Sequence, residues 1–160
     1  SLTKCKELLV PLDSGGRRLL MYACGPTVYA PAHLGHARTY LQLDVIRRIL
    51  RDYFHFDVVF VINITDIDDK IIARAKEEGV TVQQLARRWE EAFFQDMAAL
   101  GIDPPTASPR VSDHIPEVTA FIQKLESKGF AYELSGSVYF NTQAYIHAGL
   151  TYRPLVPLRS

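Results

Sequence analysis

The chain has 160 residues, about one domain, and its 48% apolar and 22% charged content suits a packed core and excludes a disordered chain. Eighteen Lys and Arg balance eighteen Asp and Glu, so the strong basic surplus of a nucleic-acid-binding module is missing and any RNA contact has to be local or made elsewhere. No apolar run approaches the roughly 18 residues that span a bilayer, no secretory signal opens the sequence, and Cys5 and Cys24 alone cannot build a disulfide scaffold, which favours a reducing compartment. The first residue is Ser1 rather than Met, which points to an incomplete or processed N-terminus.

In chain order, "DSGGRR" (13–18) reads as a turn and "LLMYA" (19–23) as a short buried strand. A Gly- and Pro-bearing loop follows from Cys24. "ARTYLQLDVIRRILRDYF" (37–54) is helical, with Leu43, Ile46, Leu50 and Tyr53 recurring at three and four and Val45 and Ile49 widening the inward stripe. "DVVFVIN" (57–63) is a second buried strand. Strand, helix, strand makes a βαβ unit with parallel strands, whose carboxyl ends share one edge, the edge at which open α/β sheets bind ligands. The Cys24 loop and "NITDIDDK" (63–70) are therefore expected to lie side by side.

Further along, 65–79 starts like a helix, with Thr65 and Asp68 as an approximate capping box and Asp66, Asp68 and Asp69 at the positive end of its dipole. Gly79 stops it. A helix over 81–101 has Thr81 and Gln84 as its capping box and Leu85, Trp89, Phe93, Met97 and Leu100 on one face. "DPPTASP" (103–109) is a proline-rich break. Asp113 caps a last helix that turns Ile115, Val118, Ile122 and Leu125 inward, and a hairpin through Gly136 follows. From 143 to 160 there is no clean period, and Pro154 and Pro157 argue for an irregular tail.

The chemistry concentrates in "YACGPTVYAPAHLGHAR" (22–38). His33-Leu34-Gly35-His36 stands where a strand gives way to a helix. Helix-start N–H groups attract phosphate, Gly35 permits close approach, and two imidazoles can donate to phosphoryl oxygens as charge develops. Four such residues alone are equally consistent with surface or cap residues. Cys24 by itself reads as a small core thiol, Thr65 as a helix cap, and Lys70 as a surface lysine paired with Asp66. The aspartates read as dipole partners rather than a magnesium site. Arg47, Arg48 and Arg51, sharing a helix with Asp44 and Asp52, read as a solvated face rather than an RNA patch.

"CGPTVYAPAHLGHARTY" followed at this separation by "NITDIDDKII" resembles the N-terminal half of the catalytic domain of cysteinyl-tRNA synthetases, which are class I aminoacyl-tRNA synthetases; the similarity runs from about Met21 to Phe140. The resemblance implies an α/β, Rossmann-like fold: the first half of a class I catalytic domain, a parallel sheet with flanking helices, plus a small helical and hairpin insertion. It implies residues 1–142 as half of a nucleotide-binding domain and 143–160 as a divergent tail. His33 and His36 would hold ATP phosphates, with Leu34 standing where the family signature has Ile, and Lys70 would join them as a catalytic residue. ATP-binding falls to His33, Leu34, Gly35 and His36. Gly25 and Thr65 would contact the substrate cysteine, and Cys24 would be one of four zinc ligands.

By that resemblance the substrates are L-cysteine and ATP with Mg2+, and tRNA is the acceptor in an intact enzyme. The compartment would be cytoplasm or mitochondrial matrix. The family's second signature, Lys-Met-Ser-Lys-Ser, and the other three zinc ligands lie in a second half with no counterpart here. The expectation is a truncated chain that is inactive alone, with an apolar edge left uncovered. Three alternatives stand: a cysteine–amino-sugar ligase of the same superfamily, a small nucleotidyltransferase, and a non-catalytic truncated product.

Overall fold

The computed structural model describes residues 5–11, 13 and 15–152. It divides into two compact units, one of Val10–His114 and one built from Ile115 onward with the described part of the first nine residues.

The larger unit starts with strand β1 (Arg18–Ala23), helix α1 (Leu34–Arg48) running on into a π-helical turn over Ile49–Tyr53, and strand β2 (Asp57–Ile62). β1 and β2 pair in parallel from Arg18↔Asp57 to Ala23↔Ile62, as the βαβ pattern requires. The chain enters β2 through His55, held at φ 58. Helices α2 (Asp69–Glu78) and α3 (Val82–Ala99) follow. Gly79 closes α2 in the left-handed conformation, and Thr81 with Gln84 forms the expected capping box.

The proline-rich segment adds a third, strand-like edge. Val61 bridges Ala107 and Ile64 bridges Arg110, both in parallel. The Ile62 and Ile64 amides donate to the carbonyls of Ala107 and Pro109, and the Val111 amide donates back to Ile64. Pro104, Pro105 and Pro109 hide this edge from a propensity reading, since proline is disfavoured where a full ladder is needed.

Two apolar clusters hold this unit together. One joins Tyr40, Phe60, Ile62, Phe93 and Met97, with Met21, Ala23 and Leu43 against them. The other joins Val28, Ile64, Ile71, Ala75, Leu85 and Ala86. Helices α1 and α3 therefore cover one face of the sheet. On the other face, Leu20 and Tyr22 are 71% and 68% exposed, so β1 is not the buried strand that its apolar sequence suggests.

Three expectations for this unit change. Helix α1 turns Tyr40, Asp44 and Arg47 inward, while Val45, Ile46, Ile49 and Tyr53 are exposed. The cause is an ionic cluster: Arg47 bonds Asp44 at 2.5 Å and the carbonyls of Pro104 and Asp103 at 2.8 and 2.9 Å. Arg48 adds a bond to Asp44 at 2.7 Å and Arg51 one to Asp103 at 3.0 Å. Of the three arginines, Arg47 is a buried anchor, while Arg48 and Arg51 keep side chains 42% and 45% exposed, as a solvated face requires. Thr65 does not cap α2; Asp68 does, accepting from the Lys70 amide at 2.9 Å. Asp66 lies outside the helix, buried, accepting from the Ser112 amide at 2.9 Å and hydroxyl at 2.5 Å.

In the smaller unit, a 3-10 turn (Val111–His114) in the preceding residues leads into α4 (Ile115–Ser127). Strands β3 (Ala131–Leu134) and β4 (Ser137–Phe140) form an antiparallel hairpin closed by Ser135 and Gly136, both at positive φ. Helix α5 (Thr142–His147) comes next. It occupies residues expected to be irregular, with Asn141 as its cap accepting from Ala144. Ile115 and Val118, expected inside, are each 44% exposed. Residues 153–160, with Pro154 and Pro157, lie outside the described residues.

Candidate functional site

The carboxyl ends of β1 and β2 carry the site. The chain leaves β1 at Cys24 and β2 at Asn63, and the two exits are bonded together. The Thr65 amide donates to the Pro26 carbonyl at 3.0 Å and the Val28 amide donates to the Thr65 carbonyl at 3.1 Å. Thr27 and Thr65 thus form a parallel bridge past the ends of the strands. A Cβ at position 25 would meet the Asn63 carbonyl oxygen at 1.5 Å. Only glycine lets the backbones approach this closely.

The start of α1 stands on the same side, ten residues after β1. His33 is its N-cap, with Nδ1 accepting from the Gly35 amide at 3.1 Å. The His33 amide in turn donates to His36 Nδ1 at 3.2 Å. The rings stack with centroids 3.9 Å apart. Each Nδ1 is an acceptor, so each neutral ring carries its proton on Nε2. Burial, with a contribution from His33, pushes the His36 pKa below the ordinary histidine value and favours that neutral form. Gly35 has a local reason to be glycine, since a Cβ there would lie 2.8 Å from His33 Cε1. Leu34 is 84% exposed.

Lys70 does not pair with Asp66, which is committed to Ser112. Its ammonium sits 5.5 Å from the centre of the Tyr29 ring, a residue of the Cys24 loop. This cation–π contact ties the start of α2 to that loop.

Cys24 is exposed and free. Among the described residues, no three His, Cys, Asp or Glu side chains gather to hold a metal. One thiolate does not make a tetrahedral zinc shell, so the residues present do not fit zinc by themselves. An apolar cavity of about 300 Å³ lies elsewhere in this unit, lined by Tyr40, Phe60, Phe93, Met97 and Pro104 among others. It offers little polarity to a phosphate or an amino acid. In a larger cleft of about 560 Å³, Asp66 and Ser112 are among the lining residues.

Two contributors were not singled out from the sequence. The Tyr40 hydroxyl donates to the Cys24 carbonyl at 2.9 Å. Asn63 Oδ1 accepts from the Gly25 amide at 3.0 Å and the Tyr22 hydroxyl at 2.9 Å, and Nδ2 donates to Thr65 Oγ1 at 3.2 Å. Asn63 left a readable signal: a polar residue at the end of an apolar run has to find partners.

The model of the class I (C) tRNA synthetase catalytic domain matches residues 11–153. The chain belongs to this family. The match runs past Thr142, where the resemblance was expected to stop. A cysteine--tRNA ligase described as cytoplasmic, from Dictyostelium discoideum, is 52% identical over 149 residues, 92% of this chain and 23% of that protein. The cysteine--tRNA ligase of Encephalitozoon cuniculi is 48% identical over 91% of this chain and 30% of its own length. That of Pyrococcus abyssi is 52% identical with the same coverages. The chain thus spans 23% to 30% of the length of these relatives.

Among solved structures, Mycobacterium tuberculosis methionyl-tRNA synthetase with methionyl-adenylate superposes with a TM-score of 0.64 at 19% identity, over 79% of this chain and 29% of that one. The LeuRS of Agrobacterium radiobacter, in a ternary complex, does so at 0.66 and 16%, over 77% of this chain and 16% of that one. These establish the class I catalytic fold.

Proposed function

We propose that this chain is the N-terminal half of the nucleotide-binding catalytic domain of a cysteine–tRNA ligase, with residues 1–142 as that half. In this reading it takes part in activating L-cysteine with ATP and Mg2+, and the intact enzyme passes the cysteinyl group to tRNA. The single observation that carries it is the reciprocal histidine cap at the start of α1, the helix whose Tyr40 bonds the Cys24 carbonyl at the bonded exits of β1 and β2, with Cys24, Gly25 and Thr65 on those exits.

The reaction is attack by a carboxylate oxygen of cysteine on the α-phosphorus of ATP. A new P–O bond forms, the bond to the bridging oxygen of the β-phosphate breaks, and pyrophosphate leaves with the electron pair. The Nε2–H groups of His33 and His36 are the donors this chain supplies to the phosphoryl oxygens, and the N-terminus of α1 adds its dipole. Backbone contact with the triphosphate falls to Leu34 and Gly35. Gly25 and Thr65 contact the amino acid, and Lys70 contributes positive charge from α2. Cys24 is the one thiolate offered toward zinc, a metal that binds thiol strongly and would favour cysteine over serine. The described residues do not complete a zinc shell, and no step here is routed through the metal.

The test is cysteine-dependent ATP–pyrophosphate exchange by two proteins. One is the 160-residue chain. The other is the Dictyostelium ligase with its matching 149-residue segment replaced by this sequence. The chimera is expected to exchange and the chain alone to stay at the blank. An inactive, well-folded chimera refutes the assignment. Offering tRNA and an amino sugar as acceptors to the active chimera separates the two cysteine ligases.

A further inference from the structure

The carbonyl of Cys24 and the amide of Gly25 belong to one peptide group, and each end of it is held by a different element. From α1, the buried Tyr40 donates its hydroxyl to the carbonyl at 2.9 Å. From the end of β2, Asn63 Oδ1 accepts the amide at 3.0 Å. We propose that Tyr40 and Asn63 are positioning residues that clamp the Cys24–Gly25 peptide from both sides and thereby hold the Gly25 backbone and the Thr65 hydroxyl in place toward the amino-acid substrate.

A peptide plane is rigid. Fixing both its ends fixes the orientation of the plane, and with it the Cα of Cys24 and the amide and Cα of Gly25. Gly25 allows the clamp to close, since any Cβ there would strike the Asn63 carbonyl. The Asn63 amide is itself oriented. Its oxygen takes two donors, Gly25 and Tyr22, which turns its NH2 toward Thr65 Oγ1. With that lone pair occupied, the Thr65 hydroxyl keeps its own proton to donate elsewhere. The Tyr40 hydroxyl is a donor throughout the working range, because burial, followed by the neighbouring Cys24 and Tyr22, pushes its pKa up to about 12. Its ring is fixed edge-on against Phe93 at 5.1 Å.

The clamp rests on the reading that Gly25 and Thr65 face an amino acid, and two assays separate the failure of one from the failure of the other. The first is residue-resolved amide exchange on the 160-residue chain. The Gly25 amide is expected to be protected. Asn63→Ala should accelerate its exchange about tenfold, the value of one lost hydrogen bond. Asn63→Asp, which keeps the acceptor, should stay within about twofold of the parent. Tyr40→Phe, which removes only the hydroxyl, should accelerate it severalfold. The amides of Ile62 and Ile64, bonded to Ala107 and Pro109, serve as controls for general loosening and should not move. A Gly25 amide that exchanges freely in the parent, or equally fast in Asn63→Asp and Asn63→Ala, overturns the clamp.

The second assay is steady-state exchange in the chimera. Asn63→Asp turns an acceptor toward Thr65, so KM for cysteine should rise about tenfold while KM for ATP holds. Both KM values rising together would mean a merely structural role and would overturn the proposal. A parent chimera with no cysteine-dependent exchange overturns the substrate reading, and the amide rates then decide the clamp alone.

Discussion

His33 and His36 each do two things with one ring, and the two can be separated by substitution. Nδ1 caps the helix and Nε2–H points away from the cap. Asparagine is among the best N-caps and its Oδ1 can replace Nδ1, but it offers no counterpart to Nε2–H. His33→Asn should therefore leave the urea midpoint of the chain close to the parent, whereas His33→Ala should cost about 1 kcal/mol of stability. In the chimera both should lose about a hundredfold or more in exchange rate, the scale of one lost transition-state donor. Preserved exchange in His33→Asn would remove His33 from the chemistry. The pH response follows from His36. Its folded pKa lies below the ordinary 6.5, with burial the first cause and His33 the second. In the window below 6.5 the unfolded chain binds the proton that the folded chain resists, so stability rises with pH. That stability is present above 6.5 and is lost as the pH falls through the folded value. His36→Gln can still accept from the His33 amide as a capping-box residue and does not titrate. Its urea midpoint should fall less than the parent's between pH 7 and pH 5, and parallel curves for the two proteins would contradict the linkage.

Helix α1 shows what periodicity can and cannot reveal. The helix itself was legible, as was the parallel β1–β2 pair with its two exits side by side, because the strand–helix–strand pattern is strong. The inward face was not. Apolar residues lie on more than one side of α1, and the deciding interaction is between charges remote in sequence: Asp44 and Arg47 on the helix, Asp103 and Pro104 beyond α3. No local pattern announces that these will meet. For the same reason Thr65 passed for a helix cap, when its backbone was already engaged with Pro26 and Val28, and Asp66 passed for a dipole partner, when Ser112 had claimed it. The ion pairs also rank themselves by burial. Asp44 is 2% exposed and Arg47 4%, whereas the Asp103 side chain is 38% exposed. Asp44→Ala would leave a buried guanidinium with two backbone carbonyls and a looser ion pair to the Asp103 carboxylate at 3.7 Å, at a cost of about 3–5 kcal/mol. Asp103→Ala removes partners in wetter surroundings and should cost about 1 kcal/mol or less through lost ion pairing. Urea unfolding of the two variants should show that order, and equal midpoints would mean that the Asp44–Arg47 contact anchors nothing.

At the scale of the whole chain, the two units differ in how much they bury. The Val10–His114 unit has two apolar clusters and a sheet covered on one face. In the other, Ala131 is the only buried residue among those described, and Phe121, Leu134, Val138, Tyr139 and Ile146 are 47% to 63% exposed. Burial of apolar surface supplies most of the driving force for folding, at about 25 cal/mol per Å², and backbone hydrogen bonds in a short exposed hairpin add little net stability. Local stability follows the same order. The β3–β4 hairpin and α4 should therefore open before β2 does. Hydrogen exchange should find the amides of Tyr132, Glu133 and Val138 close to unprotected, while those of Ile62 and Ile64 exchange slowest and track global unfolding. Thermal melts followed at the β3–β4 tyrosines and at the β1–β2 sheet should then separate into two transitions. The bare sheet face, where Leu20 and Tyr22 stand exposed, adds a concentration dependence to the second, because apolar surface of that kind promotes association. Leu20→Thr with Tyr22→Thr keeps β-forming residues on that face and removes most of its apolar area. The double variant should sediment as a monomer at concentrations where the parent associates. One sharp, concentration-independent transition of a monomeric parent would show that the exposed surfaces of both units are already satisfied.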